Sequence, residues 1–403
     1  MKDAGIRLDT PKPLSAMLSH AAIHSPYYRE QQWAKRLSAG SKIAFREIPI
    51  TGKRLVREET ERFYPSYVPP SEGRVQIRHT SGATGQPMLI RKTKRHFQIN
   101  LEENRRLMEG WNLARHRRIA EIEFPDEDYP IGRLDRQVLK NGAEHWKLST
   151  LDGAAAFDLL RRTSATLAVA FPSIMQAALQ HLAESTQPLS LQLISTISEV
   201  VSDELRQFIR QIPNCRLADG YGCVEAGLIA MQCPLCDAYH PADRHLVLEL
   251  LGEDGRPVGP GEMGRVVVTP LFNRAMPLIR YETGDYAIAG SSSGCPRSAQ
   301  AIERVIGRES GLFKLPDGTK VAAMLPPNVS LLMGVREFKL FQTSLTVVEL
   351  HYVPKADGME ISEAAAQDAV DKYLSPRFRI RCRRVAEIPR APGGKYLMHE
   401  CLI

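Results

Sequence analysis

Between residues 154 and 218, segments with helical spacing alternate with short apolar runs, and this constrains the fold more than any other feature of the chain. Residues 154–162, 173–182 and 203–212 carry helical patterns, while 167–171, 191–197 and 216–218 are apolar and extended. Strands separated by helices make crossover connections and therefore a parallel sheet. Ligands of such sheets sit at the C-terminal ends of the strands. Phe171-Pro172-Ser173, Ser198-Glu199 and Asp219-Gly220-Tyr221-Gly222 lie at those ends.

The flanking regions read differently. Residues 12–40 are helical, ending near Ser38-Ala39-Gly40. Ile48-Pro49-Ile50-Thr51 leads into a polar helix over 54–62. A further helix over 97–112 carries Glu102, Glu103, Arg105 and Arg106, read as a solvated charged face. Over 245–290 short strands alternate with glycine turns, predicting a small antiparallel sheet or barrel. Beyond Gly307-Arg308 a strand over 337–353, a helix over 361–374 and a strand over 378–388 predict a compact α+β unit.

A chain of 403 residues exceeds the size at which one core usually splits, so two domains are expected. The N-terminal one, 1–306, is expected to be α/β, with mixed, mainly parallel sheets, flanking helices and a small β-barrel-like sheet. The C-terminal one, 307–403, is expected to be a small mobile α+β lid.

Composition excludes several classes. The hydrophobic fraction of 43% and charged fraction of 25% are ordinary for a globular protein. A net charge of +7 suits an anionic small ligand and is too mild to imply nucleic acid. Residues 163–183 lack charge but contain Pro172 and His181, which argues against a membrane span. The first residues carry no apolar run, so no signal peptide is read. Seven cysteines without a secretory signal predict a reducing, cytoplasmic setting.

Thr80-Ser81-Gly82-Ala83-Thr84-Gly85 is the candidate phosphate cradle. Glycines let backbone N–H groups close on an anion, and hydroxyls add uncharged donors. The basic run Arg91-Lys92-Thr93-Lys94-Arg95 follows. The loop lacks the terminal Gly-Lys-Ser/Thr of the usual nucleotide P-loop. Glu225, in Tyr221-Gly222-Cys223-Val224-Glu225, is a candidate magnesium ligand, since magnesium shares oxygen ligands with phosphates. The alternative for Glu225 is a helix-start glutamate favoured by the dipole. Asp285, after Thr283-Gly284, could accept hydrogen bonds from a ribose diol or belong to an ordinary turn. Arg308 could hold the same ribose or a phosphate. Lys395, on Pro392-Gly393-Gly394, is a point charge suited to a developing negative centre, or part of a solvated tail.

Taken in order, these segments resemble the adenylate-forming enzymes: acyl-CoA synthetases, luciferases and peptide-synthetase adenylation domains. The likeness is strongest to the phenylacetate–CoA ligase-like and capsule-biosynthesis adenylating branch, and Ser25-Pro26-Tyr27-Tyr28-Arg29 fits that branch too. The resemblance implies that a carboxylate attacks the α-phosphate of ATP, giving an acyl-adenylate and pyrophosphate. The lid then rotates, and a thiol or amine displaces AMP. It assigns Thr80, Ser81, Gly82, Thr84 and Gly85 to the β- and γ-phosphates and Glu225 to magnesium. Tyr221 would stack near adenine within Asp219-Gly220-Tyr221-Gly222, and Ser198 and Glu199 would line the nucleotide and acyl pocket. Asp285 and Arg308 would bind ribose, and Lys395 would contact the carboxylate and α-phosphate. Three departures stand out. Ala83 replaces a hydroxyl, Cys223 replaces a small or hydroxyl residue, and Glu309-Ser310-Gly311-Leu312-Phe313-Lys314 lacks the usual hinge aspartates.

Cys233, Cys236 and His240 have the spacing of a tetrahedral zinc site. Related ligases keep a cysteine before the hinge, which makes Cys295 the expected fourth ligand, with His245 the alternative. Zinc here would be structural. Arg377, Arg379, Arg381 and Arg383, with Arg384 beside them, alternate on a predicted strand. They suit either a dock for coenzyme A phosphates or an acidic carrier protein, or a charge-guarded edge strand.

The leading expectation is ATP-dependent activation of an aryl or hydrophobic carboxylic acid, with coenzyme A as acceptor. The alternatives are transfer to an amine or acyl carrier protein, and a non-catalytic zinc-bearing interaction protein on the same scaffold. No nucleic-acid or membrane partner is expected, and a homodimer is left as an option.

Overall fold

The computed structural model describes residues 12–80, 88–125, 128–185, 187–291, 295–297, 300–323, 334–355, 360–390 and 396–403. The chain divides into two compact units, each built from two separated segments. One comprises 1–111 and 221–305, the other 112–220 and 306–403.

In the second unit the predicted alternation is present. Strands Arg216–Cys223, Leu193–Ile197, Leu167–Ala170, Arg118–Glu123 and Glu144–Ser149 lie side by side and parallel, and Leu134–Val138 closes the edge antiparallel. The crossover helices are Gly153–Arg162, Pro172–Leu179 and Asp203–Arg210. Each begins on a recognisable signal. Asp152 and Ser202 cap their helices with side-chain oxygens, and Pro172 takes a first-turn position that needs no N–H. Ala168, Ile194, Leu160, Met175 and Leu205 are fully buried in the resulting core.

A separate core, with Phe313, Phe338, Leu350, Val370 and Phe378, underlies a four-stranded sheet near the C-terminus. Its order is Arg379–Arg384, Val347–Pro354, Val335–Ser344, His399–Cys401, with the middle pair antiparallel and both outer pairs parallel. The single strand expected over 337–353 is therefore a hairpin. The Ser344 hydroxyl accepts from the Thr346 N–H at 3.2 Å and turns the chain within an apolar stretch that reads as continuous.

The first unit combines the N-terminal helices Lys12–His24, Pro26–Arg29 and Gln32–Ser38 with antiparallel strands. Leu246–Leu251 pairs with Met263–Pro270, which pairs with Tyr281–Gly290. Thr51–Gly52 adds a two-residue parallel strand against Tyr281 and Glu282. Helix Lys94–Met108 starts where the Thr93 hydroxyl accepts from His96 N–H at 3.1 Å. Its polar face is not simply solvated. Glu103 is buried, forks onto Arg106 and accepts from the Arg244 N–H at 3.3 Å. No described helix is long and apolar enough to cross a membrane.

Candidate active site and metal centre

The strand expected to end at Ala218 runs on to Cys223, so Asp219, Gly220, Tyr221 and Gly222 lie within it and not beyond its end. Gly222 permits this. A Cβ there would stand 2.5 Å from the Gly227 carbonyl oxygen, so only glycine lets the next strand, Gly227–Gln232, return this closely. Glu225 occupies the turn between these strands and starts no helix, which removes the helix-dipole alternative. Asp219 is buried and accepts from Thr196 Oγ1 at 2.6 Å, which joins it to the adjacent strand.

Around Glu225 the first unit assembles a compact polar cluster. The Tyr281 hydroxyl donates to Glu225 Oε1 at 2.8 Å, and Lys53 Nζ lies 3.0 Å from the same oxygen. The parallel pairing of Thr51 with Tyr281 delivers Lys53 one residue past the end of the short strand. Burial opposes ionisation of Glu225, but Lys53 and the Tyr281 hydroxyl outweigh it and hold the carboxyl below its ordinary value.

The Tyr221 hydroxyl donates to Asp285 Oδ2 at 2.8 Å, and burial drives its phenol well above the ordinary range. Asp285 is aimed by a bulge. Arg265 faces Tyr286 and Val267 faces Glu282, so three residues oppose one, with Gly284 at φ +78°. Thr283 Oγ1 accepts from Asp285 N–H at 3.1 Å and fixes the bend. Arg280, in the same motif, forks onto Glu249 at 3.0 and 2.9 Å and donates to the Ile48 carbonyl at 2.6 Å, so it holds the scaffold.

Thr80 closes the base of its loop. Its N–H donates to the Met88 carbonyl at 3.1 Å, and its hydroxyl accepts from Met88 N–H at 2.9 Å. Ser81, Gly82, Thr84 and Gly85 lie outside the described residues, as does Lys395.

In the second unit Ser198 follows strand Leu193–Ile197 with φ +79°, a conformation costly for a non-glycine residue and common at functional sites. Glu199 is committed to two backbone donors, Ser173 N–H at 2.9 Å and Tyr396 N–H at 2.6 Å. Arg390 reinforces this, with Nη1 3.0 Å from Ser173 Oγ and Nη2 3.1 Å from Glu337. Arg308 ends strand Ala301–Arg308, next to Gly307 at φ +102°. Arg379, Arg381 and Arg383 are exposed along the edge strand, while Ile380 between them is buried. Arg377 pairs with Asp317 at 2.6 Å and Arg384 with Glu360 at 3.8 Å.

The structure brings Cys233, Cys236, His240 and Cys295 together, with their ligand atoms within 4.8 Å of one another. His240 Nε2 is 3.1 Å from Cys295 Sγ and 3.4 Å from Cys236 Sγ, and the Cys233 and Cys295 sulfurs are 3.9 Å apart. Zinc–sulfur bonds of about 2.3 Å place tetrahedral thiolates roughly 3.8 Å apart, close to the Cys233–Cys295 separation, so the donor set and its spacing suit zinc. His240 Nδ1 lies 3.0 Å from the Gln300 carbonyl, which can only accept, so Nδ1 carries the proton and Nε2 is the ligand atom. His245 points elsewhere, with Nε2 2.7 Å from the Leu228 carbonyl. A hydrogen bond to the Arg297 backbone draws the Cys295 thiol down to about 7.

Residues 138–270 match the family model described as AMP-binding enzyme. The chain is 24% identical over 359 residues to 4-coumarate–CoA ligase 1 of Oryza sativa subsp. japonica, covering 81% of this chain and 62% of that protein. It is also 24% identical over 370 residues to phenylacetate-coenzyme A ligase of Pseudomonas putida, covering 86% of this chain and 81% of the relative. A solved structure of 2-hydroxyisobutyryl-CoA ligase in its postadenylation state superposes with a TM-score of 0.71 at 15% identity, covering 96% of this chain and 87% of that one. The fold is that of the adenylate-forming enzymes, and the matched stretch carries their AMP-binding family model. The relatives and the solved structure it is similar to are acyl-CoA ligases.

Sequence reasoning missed Lys53. Its signal was Ile50-Thr51-Gly52-Lys53, read only as the entry to a polar helix.

Proposed function

We propose that this enzyme activates a carboxylic acid with ATP and transfers the acyl group to coenzyme A, releasing AMP and pyrophosphate. The observation that carries the reading is the buried pairing of Tyr221 with Asp285 beside Glu225, held by Lys53 and Tyr281. An aspartate aimed by a glycine bulge supplies an acceptor for a ribose diol, with Arg308 assigned to the same sugar. Tyr221 would lie near adenine, with Ser198, Asp219, Gly220 and Gly222 assigned to the nucleotide, while Glu199 holds the Ser173 and Tyr396 backbones. Thr80, Ser81, Gly82, Thr84 and Gly85 are assigned to the triphosphate and Lys395 to the reacting carboxylate and α-phosphate. Glu225 is the residue that would hold magnesium, which would offset phosphate charge. Preorganised donors and cations of this kind carry most phosphoryl chemistry. Residues 307–403 are assigned to the lid.

The acid's body is aryl or hydrophobic, as the apolar segment around Phe171 and Pro172 suggests. The exposed edge arginines support a phosphate-rich or acidic acceptor. Cys233, Cys236, His240 and Cys295 would hold a structural zinc ion, having no open position for substrate chemistry.

ATP–pyrophosphate exchange over a panel of acids tests the first step, and mass spectrometry of products formed with coenzyme A, an amine or a carrier protein tests the second. No exchange with any acid, together with an inert Lys395→Ala variant, would return the chain to a non-catalytic scaffold.

A further inference from the structure

Glu225 already holds a cation where the adenylation reading places magnesium. Lys53 Nζ lies 3.0 Å from Oε1, the oxygen that also accepts from the Tyr281 hydroxyl at 2.8 Å. The carboxylate is 2% exposed and the lysine side chain 19%. Together they form a largely buried pair with no net charge. Cys223 adds none, because burial pushes its thiol up to about 12. The cation in contact with Glu225 is Lys53, and Lys92 acts on it only at longer range.

The two donors are anchored differently. Tyr281 is fully buried, and its backbone is paired with Thr51 on one side and Val268 on the other. Lys53 follows the end of the short strand and opens helix Lys53–Glu58, at the end of a helix where the backbone dipole disfavours a cation. No acidic side chain stands in that first turn, and Gly52 before it has no side chain to cap with. The ammonium rides on a flexible stem, and Glu225 is its one ion-pair partner among the described residues. Glu225 therefore fixes Lys53, while Tyr281 keeps the carboxylate aimed with or without the lysine.

Charge decides what such a place accepts. A carboxylate neutralised by an ammonium has no net charge to offer a divalent ion, and two cations held on one buried carboxylate repel strongly. We propose that Lys53 is a resident counter-ion of Glu225 that has to leave the carboxylate before magnesium is held there, so that the metal binds well only with the nucleotide, whose phosphates supply the missing negative charge. The inference rests on the adenylation reading, in which Glu225 is the metal's residue, and adds a named competitor for that residue.

Manganese, a paramagnetic substitute for magnesium, is the probe. It is titrated without ATP into the wild type, Lys53→Met, and Lys53→Met combined with Glu225→Gln, and followed by electron paramagnetic resonance. Lys53→Met should bind manganese at least about tenfold tighter than the wild type, and the double variant should lose that gain. Urea unfolding gives a second readout. Magnesium should raise the midpoint of Lys53→Met and leave that of the wild type in place, since a ligand stabilises only a state that binds it. A lysine with a merely structural role would cost stability on replacement without making the protein responsive to metal. Should Lys53→Met not fold, Lys53→Gln, which keeps an uncharged donor toward Glu225, carries the same comparisons. Equal manganese affinity in the wild type and the lysine variant, or a gain that survives Glu225→Gln, overturns the inference. The role of Glu225 is judged separately: it falls if Glu225→Gln alone leaves the magnesium dependence of ATP binding unchanged.

Discussion

Lys53 Nζ stands 3.0 Å from Oε1 of Glu225, and the carboxylate end of that pair is only 2% exposed. A buried carboxylate stripped of its cation is strongly destabilising, by about 3–5 kcal/mol. Lys53→Met should therefore lower the urea midpoint sharply. Adding Glu225→Gln should restore much of the loss, because the stranded charge goes with it. Urea unfolding of both single variants and the double variant checks this, and simple additivity would remove the pair from the account. The pH dependence has a definite sign. A carboxyl held below its ordinary value contributes stability above the ordinary carboxylate range and loses it as pH falls through the folded value. Lys53→Met raises that value, so the acid limb of stability should begin at higher pH.

Zinc is the next expectation. Purified protein should contain about one zinc per chain, as a four-ligand protein site binds one ion. Cys233→Ser and Cys295→Ser should both lose it, while His245→Leu should retain it, because that imidazole is bound to the Leu228 carbonyl. Metal loss should also loosen the end of helix Lys94–Met108. Arg297 Nη1 donates to the Leu107 carbonyl at 3.2 Å, Trp111 Nε1 donates to the Gln232 carbonyl at 3.1 Å, and Pro234 fills the space above Gly110. Hydrogen exchange at residues 104–111 should quicken on chelation. Absence of zinc from a protein in which Cys233→Ser is harmless would sink the site.

These two sites show what a chain reveals before it folds. Cys233, Cys236 and His240 were legible because their spacing is local, and the parallel sheet because hydrophobic periodicity is local too. Lys53 was not, because its partner is far along the chain and the strand that places it has only two residues, Thr51 and Gly52. Asp219 to Gly222 misled for a similar reason. Asp and Gly ordinarily end strands, and only the close return of Gly227 keeps this one going. Glu103 looked solvated because helical spacing does not record that Arg244 lies above it.

Glu199 tests the link between the second unit's sheet and the chain just beyond Lys395. Its carboxylate accepts from Tyr396 N–H at 2.6 Å and Ser173 N–H at 2.9 Å, bonds that a glutamine could make only in part. If Lys395 serves adenylation, Glu199→Ala should cut the exchange kcat about 10- to 100-fold, the range expected when a positioning contact is lost. The KM for ATP should change little. A large rise in KM with kcat intact would instead make Glu199 a nucleotide contact.

His399 gives the C-terminal sheet its own pH signature. Its Nε2 is buried without a hydrogen-bond partner among the described residues, and burial lowers its pKa to about 4 from an ordinary 6.5. The unfolded chain therefore binds a proton that the folded one refuses. Stability from this residue is complete above pH 6.5 and declines as pH falls toward about 4. The ring packs edge-on to Phe313, 6.4 Å between centroids, so an aromatic replacement can keep the contact. His399→Phe should flatten the fall in Tm between pH 6.5 and 4 while leaving the neutral-pH Tm equal or higher, since no polar atom is left unmet. Melting curves across that range, compared with the wild type, check it, and parallel curves would show that His399 is protonated in the folded state.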